Sequence, residues 1–433
     1  MDSASNEVTS VHDATVEVGE GGAFLPNAKF ILRDAAHASR RLLQRPWTAD
    51  PVLEKLIGMS CQWKGSLGQM VHHSEALRAI YHSCSKAAVS EAPVSTAFGN
   101  LRCAQHRFET HVTPLSRIVL GLTAFFTFAV TLVESRKNEQ GKTAEAWLDM
   151  ITPGMLIILA MLADAGIESL GLIRTFDRES METADMCMHI SDFLDRITWL
   201  FHESGVEVVS GHTKEVLRWL SQPHFFMYNG KVKVIGKLGS LDDWQIDLRV
   251  AYGHLRSWTV LAKDVLQAEF PCFALVSAFA VFSLRNKNYN KPIGMDTEDK
   301  IRRMETTWQL DHLEDQYREF HPIASRIFAL GETETYLEAW SIAMKRCERN
   351  KRQPKDLVFA LQRFAAFSSS TSGIEQSFSK IQKLLPASRL VADVDKDSES
   401  RLISLLVDQS VGDPVEETKV CQILSSCTAV CWF

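Results

Sequence analysis

Apolar residues recur at three- and four-residue spacing along most of the chain, a period that is typical of amphipathic helices. One helical block runs from Pro51 to about Glu203, and a second starts at Asp242 and continues past the segment LVFALQRFAAF. A polar gap at residues 286–299 is expected to be a loop or linker. Three residues are expected to break the first block: Pro93, Gly141 and Pro153.

The pattern changes between the two helical blocks, in the segment HFFMYNGKVKVIGKL. Here Asn229 and Gly230 separate an aromatic run from alternating lysine and valine, which predicts a two-residue β-hairpin near residues 225–238. A second short strand is predicted at residues 30–32, leading into a helix. The chain is therefore predicted to be mostly α with a small β component.

Three stretches are apolar enough to raise the question of a membrane: residues 118–133, 155–163 and 270–284. All are shorter than the roughly 18 to 20 residues that a bilayer core requires. Threonine or serine interrupts two of them, and buried helices explain them better. A helical membrane protein stays only as the second alternative, and no membrane partner is expected.

Length, net charge and cysteine content limit the classes of protein to which the chain can belong. A length of 433 residues is enough for two or three hydrophobic cores. The formal net charge of -6 gives no overall basic field, so a nucleic-acid surface must be a local patch. Nine cysteines at irregular spacing favour reduced thiols, and the polar, acidic start has no signal-peptide pattern. The protein is expected to be nuclear or cytoplasmic.

Two local clusters of cations are candidates for DNA contact. One contains only Glu348 as an opposing charge, and the other flanks the segment RDAAH. Their members are Lys345, Arg346, Arg349, Lys351, Arg352 and Lys355 in the first, and Arg33, Arg40, Arg41 and Arg45 in the second. The first cluster is equally typical of a solvated helix end before Pro354 or of a nuclear-import signal.

Several short motifs carry candidate chemistry. Ser372 and Glu375 have the S-x-x-E spacing of a helix capping box, which by itself explains the glutamate. Asp34 and His37 are three residues apart and would share one face of a helix. Residues 103–106, CAQH, match C-x-x-H but lack a second pair at zinc spacing, so a zinc site is not favoured.

The order of these motifs resembles that of hAT-family transposases. The segment 368–406 resembles the family's C-terminal dimerisation segment through Glu375, Phe378, Ser379 and Arg389, although Gln376 stands where the family usually has arginine. Asp34 and His37 correspond to its C/D-x-x-H motif. Arg107 and Phe108 stand in place of its Arg-Trp pair, whose aromatic ring the family implies to stack on a DNA base.

The resemblance implies an RNase H-like fold in which three carboxylates hold two Mg²⁺ ions. Glu375 would be the last carboxylate, and Asp2 is the only counterpart of the second. The first has no counterpart, so the chain is expected to be the C-terminal two-thirds of such a protein, with an incomplete RNase H-like fold and no transposase activity. Mg²⁺ is expected as a cofactor only if the enzyme is active, and otherwise none.

The resemblance also implies a domain order: residues 1–110 as a remnant of the catalytic core, 111–355 as an all-α insertion, 356–410 as the dimerisation segment and 411–433 as a tail. Dimerisation would use Phe378, Ser379, Leu384 and Leu385. The expected function is that of a catalytically defective transposase derivative that forms homodimers, or heterodimers with related transposases, and contacts DNA. The first alternative is an active Mg²⁺-dependent transposase or nuclease.

Overall fold

The computed structural model describes residues 35–88, 101, 109–178, 181–236, 242–269, 273–285, 295–348 and 354–366. Within them, helices account for most residues and one hairpin supplies the strands, which confirms the mostly α prediction with a small β component. An RNase H-like sheet is not among the described elements.

The N-terminal half of the described chain contains nine α-helices. Their bounds are α1 Ala35–Arg40, α2 Arg45–Ala49, α3 Pro51–Ile57, α4 Leu67–His73, α5 Glu75–Ala88, α6 Glu109–Leu120, α7 Leu122–Ser135, α8 Glu139–Met150 and α9 Pro153–Phe176. The remaining elements are α10 Met186–His202, α11 His212–Leu220, β1 His224–Tyr228, β2 Lys231–Ile235, α12 Asp242–Glu269, α13 Phe273–Ala278, α14 Met295–Trp308, α15 Leu313–Ala329, α16 Tyr336–Glu348 and α17 Lys355–Ala366.

Helix α9 is the centre of the larger core. It packs against α1, α6, α10, α11 and α12, and most of its 24 residues are buried. Thr152 caps its start by accepting a hydrogen bond from the N–H of Met155, and Pro153 occupies the first turn, where its missing N–H costs nothing. The predicted break at Pro153 is therefore confirmed as a helix start.

The apolar stretch at residues 155–163 belongs to this longer helix. By length and hydropathy, α9 is one described helix that could cross a membrane, and the bent pair of α6 and α7 could form a second span. Burial of 78% of the apolar window of α9 inside the body is typical of a core helix. The segment 118–133 likewise lies in the α6–α7 pair, with most of its side chains buried.

The predicted break at Gly141 is wrong. Gly141 lies inside α8, which begins at Glu139 after the Asn138 cap. A Cβ atom at this position would be 1.9 Å from the carbonyl oxygen of Arg136. The glycine is therefore needed because the preceding chain passes close to the first turn of the helix, and the true break is at residues 136–138.

A second core lies among α13 to α17. Phe279, Phe282, Trp340 and Phe364 are fully or almost fully buried there, and their rings contact one another. The apolar stretch predicted at residues 270–284 contributes to this core through α13 and the 3₁₀ turn Phe279–Phe282. Residues 295–299, predicted as part of a linker, instead form the first turn of α14.

The hairpin prediction is confirmed. Asn229 and Gly230 both have positive φ, 46° and 71°, as a type I′ turn requires. Tyr228 pairs with Lys231, and the register continues to His224 opposite Ile235. Helix α12 starts at Asp242, as the sequence predicts.

Candidate functional site

Most of the predicted site residues lie outside the described part of the chain. These are Asp2, Asp34, Arg107, Phe108, Lys351, Arg352, Glu375, Phe378, Ser379, Leu384 and Leu385. His37 lies on α1, which agrees with the predicted helix. Among the residues that are described, no group of three His, Cys, Asp or Glu side chains could hold a metal ion. A Mg²⁺ site at Asp2 and Glu375 therefore stays a prediction.

The cations predicted to contact DNA are only partly described. Lys345 and Arg346 are exposed in the last turns of α16, where positive charge is favourable beside the helix C-terminus. Arg346 also forms an ion pair with Glu332, with 2.6 Å between Nη2 and Oε2. In the second cluster, Arg45 pairs with the buried Glu269 at 2.7 Å. These contacts give two of the candidate arginines a structural role.

A buried carboxylate that the sequence analysis missed joins three helices. Asp164, in the middle of α9, accepts hydrogen bonds from the backbone N–H groups of His212 and Thr213 at 2.8 and 2.9 Å. It also accepts from the Thr213 hydroxyl at 2.7 Å and from His212 Nδ1 at 2.8 Å. On the other side of the imidazole, Nε2 is 2.5 Å from the Ser116 hydroxyl on α6. We call these four residues the Asp164 network.

The Asp164 network has the connectivity of a serine hydrolase triad, but its geometry is that of a helix cap. The N-cap residue of α11 is Gly211, which has no side chain to accept from the first N–H groups of the helix. Asp164, on α9, accepts from them instead. Ser116 is inside α6, where backbone N–H groups bond to carbonyls of the preceding turn and cannot form an oxyanion hole. The network therefore holds α6, α9 and α11 together.

Electrostatics agree with this role. Burial alone raises the pKa of Asp164, but the hydrogen bond and charge of His212 and the bonds from Thr213 outweigh it. The pKa of Asp164 therefore lies below its usual value, and the carboxylate stays ionised. An aspartate inside a strongly apolar helix was the available sequence signal, because a buried carboxylate requires partners.

The hairpin presents one apolar face to solvent. Phe225, Met227 and Val232 are 62%, 69% and 59% exposed, and the register places Met227 opposite Val232. Since side chains alternate across a strand, these three residues lie on the same face. We call this set the outer hairpin face. Large apolar residues that cluster in this way mark interaction surfaces more often than scattered ones do.

The opposite side of the hairpin is firmly attached to the body. Phe226 stacks on Phe126 of α7 with ring centroids 4.6 Å apart. The Tyr228 hydroxyl donates to Asp149 at 2.8 Å. At the turn, Asn229 donates through its backbone N–H to Glu134 and through its side chain to Glu145. The outer hairpin face is therefore held in one position.

Helix α12 has a second exposed apolar line, formed by Ile246, Val250 and Val260. Gly253 and Ser257 complete the line, and they offer little apolar surface. Exposed cations stand beside it at seven-residue intervals: Arg249, Arg256 and Lys263. The α12 line is therefore more polar and less continuous than the outer hairpin face.

Comparison of this chain with protein-family models, with curated proteins and with solved structures gives no match.

Proposed function

We propose that this chain derives from an hAT-type transposase and acts by self-assembly and contact with DNA, without catalysing strand transfer. The motif order of the sequence supports the derivation. The observation that carries the assembly part is the outer hairpin face, because three large apolar side chains are held there in a fixed position facing solvent.

A fixed apolar surface favours association for two reasons. Removing apolar surface from water contributes roughly 25 cal/mol per Å². A surface that is already rigid also loses little conformational entropy when a partner binds. Phe226 and the turn contacts of Asn229 supply that rigidity. The C-terminal residues Phe378, Ser379, Leu384 and Leu385 are a further proposed contact, from the resemblance.

Contact with DNA is proposed for the basic segment that begins at the end of α16. Lys345 is exposed there, and the cluster continues in sequence with Lys351 and Arg352. Cations of this kind bind phosphates without reading sequence, so binding should weaken steeply as salt is added. Arg107 and Phe108 are the proposed base-stacking pair. A nuclear location follows from this proposal.

The lack of catalysis is proposed because a complete carboxylate set cannot be assigned. Asp2 and Glu375 are candidates for two positions, and no residue of the sequence matches the first. A two-metal site needs several carboxylates to balance the charge of the ions. Nicking of supercoiled DNA that requires Mg²⁺ and disappears in Glu375→Gln would overturn this part of the proposal and support an active enzyme.

The test of assembly is sedimentation or light scattering from nanomolar to high micromolar protein. We expect a concentration-dependent dimer that Phe225→Asp weakens at least tenfold. Val250→Asp is the matched control, since Val250 is also an exposed apolar residue but lies on the α12 line. A dimer that responds only to Val250→Asp would move the contact to α12. A monomer at every concentration would refute assembly.

DNA contact is tested by fluorescence anisotropy with duplex DNA over a series of salt concentrations. We expect Lys345→Ala to weaken binding to all sequences and to reduce the salt dependence by about one counterion. Lys214→Ala, which removes an exposed lysine from α11, is the control. Equal effects of the two substitutions would mean that the α16 end makes no particular contact with DNA.

A further inference from the structure

We infer that β1 is the strand through which a second copy of this chain docks, by antiparallel pairing of β1 with β1 of the partner. This inference deepens the proposed self-assembly and rests on it. In the described part of the chain the sheet has two strands only, so each strand has one edge without a neighbouring strand.

The hairpin register identifies which backbone groups face that edge. In a two-residue hairpin the pair that closes the turn, Tyr228 and Lys231, exchanges both backbone hydrogen bonds. Pairs alternate from there, so the N–H and C=O groups of Phe225 and Met227 point away from β2. Among the described residues, no backbone hydrogen bond outside the ladder involves these two residues.

Symmetric pairing of two β1 strands has one favourable register. If Phe226 lies opposite Phe226 of the partner, Phe225 lies opposite Met227 in both directions. These two pairs exchange four backbone hydrogen bonds. The outer hairpin faces of both copies then join into one continuous apolar surface.

The charges on the two strands indicate whether a second copy docks on the outer edge of β1 or on that of β2. The sequence of β1, HFFMY, carries no lysine, arginine or carboxylate, and contains no proline. The corresponding symmetric pairing of β2 would place Lys233 opposite Lys233 of the partner subunit, with each Lys231 diagonally across from that same lysine of the other copy. Like charges directly opposite destabilise a strand pair, and lysine is a common means of protecting an edge. A second copy therefore fits β1 and is repelled by β2.

The size of the contact predicts its strength. Two five-residue strands bury less surface than the roughly 1,200 Å² of a small stable interface. The β1 contact is therefore expected to give a dimer that dissociates on dilution, unless the C-terminal segment adds to it.

Proline substitution distinguishes a dimer contact through the outer edge of β1 from one through the outer edge of β2. Proline is tolerated where a strand N–H faces outward, so Met227→Pro and Val234→Pro should each keep the hairpin. Met227→Pro removes a donor from the outer edge of β1, and Val234→Pro removes one from the outer edge of β2. We expect Met227→Pro to raise the dimer dissociation constant at least tenfold and Val234→Pro to leave it unchanged, with thermal unfolding midpoints confirming that both variants fold.

A disulfide test reports the register directly. A mixture of Phe225→Cys and Met227→Cys proteins should form a crosslinked dimer under mild oxidation faster than either variant alone, because only the mixture places the two cysteines opposite each other. The unsubstituted protein corrects for native cysteines.

The outcomes distinguish this inference from the proposed assembly. If the protein dimerises but neither proline has an effect, or both have the same effect, the β1 contact is wrong and assembly stands. If the mixture crosslinks no faster than its components, the register is wrong. A protein that is monomeric throughout and gives no crosslink in the mixture refutes both.

Discussion

Removal of the Asp164 carboxylate should lower the free energy of unfolding, because it deprives α11 of its cap and Thr213 of its hydrogen-bond acceptor. Asp164→Ala takes the cap from α11, which is worth about 1 kcal/mol. It also leaves the backbone N–H and hydroxyl of Thr213 without an acceptor in a buried place, at about 1 to 3 kcal/mol. We expect the free energy of unfolding to fall by about 3 kcal/mol in total.

Asp164→Asn keeps the size of the side chain and removes its negative charge, so it measures what the charge contributes to stability. One amide oxygen can still accept from His212, but the amide NH₂ then faces the donors of Thr213, so we expect a loss of about 2 kcal/mol. Asp192→Asn is the control because Asp192 is exposed on α10. Urea unfolding followed by circular dichroism measures all three variants.

The dependence on pH gives a second readout for Asp164. Its folded-state pKa is depressed, so its contribution is fully present above the unfolded-state pKa of about 4. The contribution is lost as the pH falls through the lower folded-state pKa. The difference in stability between the protein and Asp164→Asn should therefore shrink below about pH 4. A difference that is below 0.5 kcal/mol at neutral pH, or that does not change with pH, would refute the cap interpretation.

Three further changes probe other contacts. Phe226→Ala should lower the free energy of unfolding by about 3 kcal/mol, because it removes the ring stacked on Phe126, and a loss below 1 kcal/mol would mean that the hairpin is weakly attached. Tyr336→Phe should cost about 1 to 2 kcal/mol in urea unfolding, since the hydroxyl donates to the buried carboxylate of Asp185 at 2.9 Å. Burial raises the pKa of Cys187 to about 12, so its thiol should react slowly with maleimide at pH 8 until the protein unfolds, as peptide mass mapping would reveal.

Local chemistry made several elements predictable from sequence. The Asn229-Gly230 pair specifies its turn because both residues tolerate positive φ. Pro153 at a helix start follows from its fixed φ and missing N–H. Gly141 was wrongly predicted to break the helix. A glycine is needed there because the carbonyl oxygen of Arg136 lies too close for a Cβ atom, and the spacing of apolar residues does not reveal such a contact.

The functional surfaces were harder to predict for a different reason. Every residue of β1 except its histidine is apolar or aromatic, so no alternation of polarity tells which face packs on α7. Phe225 and Phe226 are chemically identical, and only the tertiary structure buries one and exposes the other. Asp164 and Thr213 are 49 residues apart, and a cap supplied from another helix leaves no local sequence signature.

The attachment of the hairpin turn also affects the order in which parts of the chain fold during synthesis. The acceptors of Asn229 lie 95 and 84 residues earlier in the sequence, at Glu134 and Glu145. During synthesis, which proceeds from the N-terminus, α7 and α8 have therefore emerged before the hairpin does. A two-residue hairpin closes within about 1 to 10 microseconds, far faster than residues are added. The hairpin can thus dock as soon as it appears, and the edge of β1 is oriented before the second core has been made.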